Sequence, residues 1–224
     1  LRVAPEIYCH SLTVGAGAKA LCGVILDDDP GFFDDIGFIA EIGDPEEKRQ
    51  AVLNYAMGCG LFHDVGKISV IELYSRTPRQ WFEEEYEMAR LHTLSGRILL
   101  EPRPSTSRYA DAALGHHVWY DGSLRGYPSA YKRLECAARQ MVDVIGLMDW
   151  LEERTTSAPI YDNGGQTFRE AVQSAVELEG KRFSPMLTAL LRDGRVAALL
   201  EQAFAQGRQE AYRLVCSDAC GHSA

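Results

Sequence analysis

Five of the six histidines in this 224-residue chain lie in short segments that also carry carboxylates. In order these read Glu6-x-x-x-His10, His63-Asp64-Val65-Gly66-Lys67, His92-x-x-x-Gly96 and His116-His117, with Asp143 further on. Imidazole nitrogens and carboxylate oxygens together suit divalent manganese, iron, nickel or zinc, whereas a structural zinc site is typically built on thiolates. Clustered ions of this kind polarise phosphoryl oxygens and acidify water, so the chemistry expected is metal-assisted hydrolysis. A single histidine in a helical protein is usually a surface or hydrogen-bonded residue. Five in one ordered pattern are not explained that way.

Helices must position these residues. Ile7, Val14, Leu21 and Val24 recur at helical intervals, so a helix over 5–24 would project Glu6 and His10 from one face. Asp44-Pro45-Glu46-Glu47 reads as an N-cap, a first-turn proline and a capping-box glutamate, opening a helix that ends near His63 and Asp64. Thr77-Pro78-Arg79-Gln80 repeats that signal for a helix through His92, placed mid-helix, to about Leu100. Leu134, Ala138, Met141, Ile145 and Met148 mark another helix, with Asp143 on its flank. Thr167-Phe168-Arg169-Glu170 and Ser184-Pro185 open two more. The acidic run Asp27 to Asp35 reads as a solvated loop, and Asn163-Gly164-Gly165 as a turn within one domain. With no sustained period-two alternation, the fold class expected is all-α.

The totals narrow the function. A net charge of −9 argues against a broad surface for duplex nucleic acid. The six cysteines lack regular spacing and read as reduced thiols of a cytoplasmic protein; Cys216-x-x-x-Cys220-x-His222 supplies only three ligands for a zinc site. No apolar run is expected to reach the ~18–20 residues of a membrane span. The opening Leu-Arg-Val-Ala-Pro-Glu does not read as a signal sequence.

The ordered set His63-Asp64 with Gly66-Lys67, His92-x-x-x-Gly96, His116-His117, Asp121-Gly122 and Gly126-Tyr127-Pro128 resembles the HD-GYP branch of the HD phosphohydrolase superfamily. The resemblance covers roughly residues 6 to 190, since Phe183-Ser184-Pro185 is similar to the Phe-Asp-Pro segment opening the family's closing helix. It implies an HD-domain helical bundle, taken as a catalytic domain over 1–200 with a helical extension or tail over 201–224. It also implies two or three divalent metals, iron or manganese first and nickel, zinc or magnesium as further candidates, and hydrolysis of a cyclic dinucleotide, cyclic di-GMP foremost. By the same resemblance His10, His63, Asp64, His92, His116, His117 and Asp143 are metal ligands, Asp64 bridges, and Glu6 serves a third metal. Lys67 would act on the phosphate or the attacking water, and Arg125, Gly126 and Tyr127 would contact substrate. An upstream sensor domain and a homodimer are the further partners expected.

The chain departs from the family pattern in three places. Val118 stands where a glutamate is usual after the paired histidines, and Leu124-Arg125 lengthen the run before Gly126. Gly146 stands where a second aspartate follows Asp143, leaving Asp149 as the alternative ligand. These changes motivate a second reading, a degenerate signalling domain that binds nucleotide or a partner protein without turnover.

Overall fold

The computed structural model describes residues 4–74, 81–156 and 165–219. The start signal at Thr77 to Gln80, the Asn163-Gly164 step and the Cys220 and His222 positions lie outside them. Eleven α-helices are described: α1 (Pro5–Asp28), α2 (Gly37–Ala40), α3 (Pro45–Phe62), α4 (Ile71–Tyr74), α5 (Glu83–Arg90), α6 (His92–Leu100), α7 (Ala110–Gly115), α8 (Arg139–Thr155), α9 (Phe168–Glu177), α10 (Pro185–Leu191) and α11 (Gly194–Ala219). Short 3-10 turns cover Val65–Val70, Ser107–Tyr109 and Arg133–Glu135. Among the described residues there is no β-strand, only an isolated bridge between Glu179 and Phe183. The all-α reading holds.

Local chemistry sets the helix starts. The Asp44 side chain accepts the Glu47 N–H at 2.8 Å, with Pro45 in the first turn of α3. Thr167 and Glu170 close a reciprocal capping box at the start of α9. The helix expected through His92 is instead two helices broken at Leu91, so His92 begins α6 rather than sitting mid-helix. α8 begins at Arg139, five residues after the expected Leu134, which lies in a 3-10 turn and is 84% exposed. Arg133, one residue earlier, pairs with Asp143 and ties the turn to the side of α8.

The core runs along α8, whose Met141, Val144, Ile145, Leu147, Met148 and Leu151 are fully buried. Each such side chain contributes about 1.5–3 kcal/mol by leaving water. α1 lies against α3, α8 and α11. It crosses α3 where a β-carbon on Gly60 would stand 2.3 Å from Gly15 Cα, so the two backbones meet with no side chain between them. α1 is long and apolar enough to cross a membrane by length and composition, which corrects the expectation that no apolar run reaches that length. Yet 72% of its most apolar window is buried within the bundle, as in a core helix. In the acidic run the carboxylates are exposed as expected, but Phe33 within it and Ile36 just after it turn inward as core plugs. The boundary drawn at residue 200 falls inside α11, a continuous helix whose Phe204 and Ala211 are buried against the bundle.

Candidate metal centre

Five helices and a 3-10 turn deliver the polar residues to one place. His10 comes from α1, His63 follows the last turn of α3, Asp64 precedes the 3-10 turn, His92 opens α6, His116 and His117 follow α7, and Asp149 lies on α8. The glycines of the two signature segments explain how they approach. A β-carbon on Gly66 would stand 1.9 Å from the His92 carbonyl oxygen and 2.4 Å from Gly96 N. Only a bare backbone lets the 3-10 turn lie flat on α6, and that contact brings Asp64 beside His92.

The side chains form two adjoining groups, His10, His63, Asp64 and Asp149 in one and His92, His116 and His117 in the other, the candidate ligand atoms within each lying within 4.8 Å of one another. Four imidazoles are held from behind through Nδ1. His63 donates to the Gly60 carbonyl at 2.6 Å, His92 to Ala89 at 2.7 Å and His116 to Ala112 at 3.0 Å. His10 instead donates to the Glu152 carboxylate at 2.7 Å. With Nδ1 so engaged, every Nε2 points to the centre. The inward nitrogens crowd together, 3.2 Å apart for His10 and His63 and 3.3 Å apart for His92 and His116.

Asp64 spans both groups. Its Oδ2 lies 3.3 Å from His10 Nε2 and 3.4 Å from His63 Nε2, while Oδ1 lies 3.4 Å from His92 Nε2 and 3.8 Å from His116 Nε2. Asp149 places Oδ1 3.1 Å from His10 Nε2 and 3.4 Å from His63 Nε2, with Oδ2 3.8 Å from His117 Nδ1. Asp64 Oδ1 and Asp149 Oδ2 are buried without a hydrogen-bond partner. A buried anionic oxygen with no donor is costly unless a cation neutralises it. Two such oxygens facing converging imidazoles fit divalent cations at neighbouring positions.

The charge balance divides along the same line. Burial works against charge on His10 and His63, but the carboxylates beside them prevail, holding His10 well above its usual value and His63 at about 9. Burial also opposes charge on Asp64 and Asp149; Lys67 with His63 and His10 overcomes it for Asp64, and His10 with His63 for Asp149, and both carboxyls stay well below the carboxylate range. In the other group burial, reinforced by neighbouring imidazoles, pushes His116 down to about 3 and His117 well below 6.5. Those nitrogens therefore keep free lone pairs near neutral pH. Half-buried Glu153 is raised to about 7 by burial and by Asp149.

The structure brings together His10, His63, Asp64, His92, His116 and His117. It does not bring Asp143, whose carboxylate takes a two-point contact with Arg133, 2.9 Å at its Nε. Asp149 stands in its place: six residues further along α8 is about 240° around the helix, onto the face that meets the imidazoles. A side chain at position 146 would not fit, since a β-carbon there meets the His116 carbonyl oxygen at 2.5 Å. Glu6 is likewise corrected. It is exposed in the first turn of α1 and belongs to neither group, and the carboxylate beside His10 is Glu152. Lys67 is buried with its Nζ on Asp64 Oδ2.

Tyr127 packs its ring 4.6 Å from that of His117 and 6.2 Å from that of His92, forming a wall of the imidazole group. Gly126 permits this, because a β-carbon there would meet Trp119 N at 2.5 Å. Arg125 is exposed and stacks over Trp119, away from both groups. Sequence reasoning missed Glu152 and Arg208. The available signal was the recurrence of Asp149, Glu152 and Glu153 at helical spacing on an otherwise apolar helix.

No family model matches the chain. It is 32% identical over 125 residues to a cyclic di-GMP phosphodiesterase of Thermotoga maritima, covering 55% of this chain and 32% of that protein. It is 29% identical over 161 residues to a cyclic di-GMP phosphodiesterase of Pseudomonas aeruginosa, covering 64% of this chain and 37% of that protein. The chain thus spans about a third of the length of these curated relatives.

Proposed function

We infer that this chain, which these similarities support as an HD-GYP-like domain, is a metal-dependent phosphohydrolase that opens a cyclic dinucleotide, with cyclic di-GMP as the first candidate substrate. The observation that carries the reading is the Asp64 carboxylate, buried between two imidazole groups with one oxygen toward each and one of them unpartnered. Divalent cations held by such donors supply Lewis acidity toward phosphodiester oxygens and acidify water. His10, His63, Asp64 and Asp149 would hold one, and His92, His116 and His117 the next, with Asp64 shared. Iron and manganese are the first candidates.

The protein's own groups complete the assignment. The Nδ1 contacts of His10, His63, His92 and His116 fix the rings before any ligand arrives, so little reorganisation is needed. Lys67 is the buried cation nearest the shared carboxylate and is assigned the role of offsetting negative charge on phosphorus. Tyr127 walls off one side from water.

Protein loaded with manganese or iron should convert cyclic di-GMP to the linear dinucleotide or to GMP, followed by chromatography. Full metal occupancy without product from cyclic di-GMP or from a panel of cyclic dinucleotides and phosphomonoesters would overturn the catalytic reading in favour of a binding domain.

A further inference from the structure

Three of the four imidazoles held through Nδ1 are oriented by a backbone carbonyl three or four residues earlier in the same segment, so their orientation comes with the local fold. His10 is different. Its acceptor is a side chain 142 residues away, Glu152 on α8, and a carboxylate can turn. What fixes Glu152 lies further off still. Thr156 Oγ1 donates to Glu152 Oε1 at 2.6 Å, and Arg208 Nη2, on α11, donates to the same oxygen at 3.0 Å and reaches Thr156 Oγ1 at 3.2 Å. Glu152 is only 3% exposed, so its charge is not screened by water, and its carboxyl is held down to about 2 despite burial by His10, Thr156 and Arg208.

We propose that Arg208 is a positioning residue of the metal centre, acting through Glu152 to aim His10 Nε2 at the site shared with His63, Asp64 and Asp149. The closing helix α11 is then part of the centre rather than an appendage. The seam that carries Arg208 there is tight: a β-carbon on Gly207 would stand 2.8 Å from Ala16 Cβ and 3.1 Å from Thr13 Cα on α1. The relay thus joins α11, α8 and α1 in two steps, Arg208 donating to Glu152 and His10 donating to Glu152.

This inference rests on the metal-centre reading, and its test separates the two. Mn(II) affinity is measured by competition with a chelator in the parent protein, Arg208→Ala, Arg208→Lys and Phe204→Leu. Phe204 is buried on α11 with its ring against Phe168 and the α1 backbone at Gly17, so it reports loss of helix packing. Arg208→Ala should bind Mn(II) about 10–100-fold more weakly, the range for losing an outer-sphere partner of a ligating histidine. Arg208→Lys, which keeps a cation near Glu152, should fall between parent and alanine variant. Phe204→Leu should keep parent affinity even where its Tm falls as far as that of Arg208→Ala. Unchanged affinity in Arg208→Ala, a lysine variant no better than alanine, or equal weakening in Phe204→Leu would each overturn the positioning role. Absence of Mn(II) binding in the parent would instead remove the metal-centre reading, and this inference with it.

Discussion

Asp143 and Asp149 lie six residues apart on one helix and face different partners, the first paired with Arg133 and the second set among His10, His63 and His117. Asp149→Asn should therefore lower the metal bound per chain. Asp143→Asn should leave metal content unchanged while costing about 1–3 kcal/mol of stability, the range for leaving a buried partner unsatisfied. Elemental analysis and thermal unfolding of both variants check this, and equal metal loss would contradict it.

Asp64→Ala removes the carboxylate whose two oxygens each face a pair of imidazoles, one pair in each group, so both ions should be lost together. His92→Ala, which touches a single group, should lose one first. Elemental stoichiometry at graded chelator concentration distinguishes them. Activity of Asp64→Ala should fall by more than the about 10–100-fold typical of outer-sphere changes.

Stability of the chelated protein should peak near pH 6.5. Above that value His10 and His63 still hold protons in the folded state that an unfolded chain has released; their contribution, complete below about 6.5, is lost as pH rises through about 9 for His63. Below it His116, held to about 3, and His117 resist protons that the unfolded chain accepts, so stability falls there too. Tm measured from pH 5 to 10 should give this dome. Saturating metal should flatten its alkaline limb, because cations replace the protons on His10 and His63.

Gly66→Ala inserts a methyl group where the His92 carbonyl oxygen would be 1.9 Å away. The 3-10 turn must lift from α6, costing about 1–3 kcal/mol by overpacking and widening the Asp64 to His92 separation. Lower Tm together with reduced metal content is the expected outcome. A Thr167→Ala variant, which removes the α9 cap for about 0.5–2 kcal/mol, should lose stability without losing metal.

The fold class and the convergence of six of the eight candidate residues were legible because their signals are local: helical spacing, cap chemistry, and paired histidines beside helix ends. Asp143 lies apart from them because spacing places a residue on a helix face but does not say which face meets the cluster; Arg133, ten residues away, takes its carboxylate, and His116 crowds position 146. Glu6 lies apart for a related reason, since the first turn of α1 opens to solvent before the helix enters the bundle. Glu152 meets His10, and Arg208 meets Glu152, through contacts more than 50 residues apart. Helical spacing with Asp149 marks Glu152 as a polar position on α8, but no local pattern encodes its pairing with His10 or Arg208.

Gly66 and Gly96 are the glycines of their segments, and each leaves bare main chain against the other's helix or turn. Neither offers a side chain that could retreat to make room, so a larger residue at one cannot be compensated by a change at the other. In a deep mutational scan position 66 should tolerate replacement as poorly as the histidines themselves, position 96 should be less restrictive, and no change at 96 should suppress a substitution at 66.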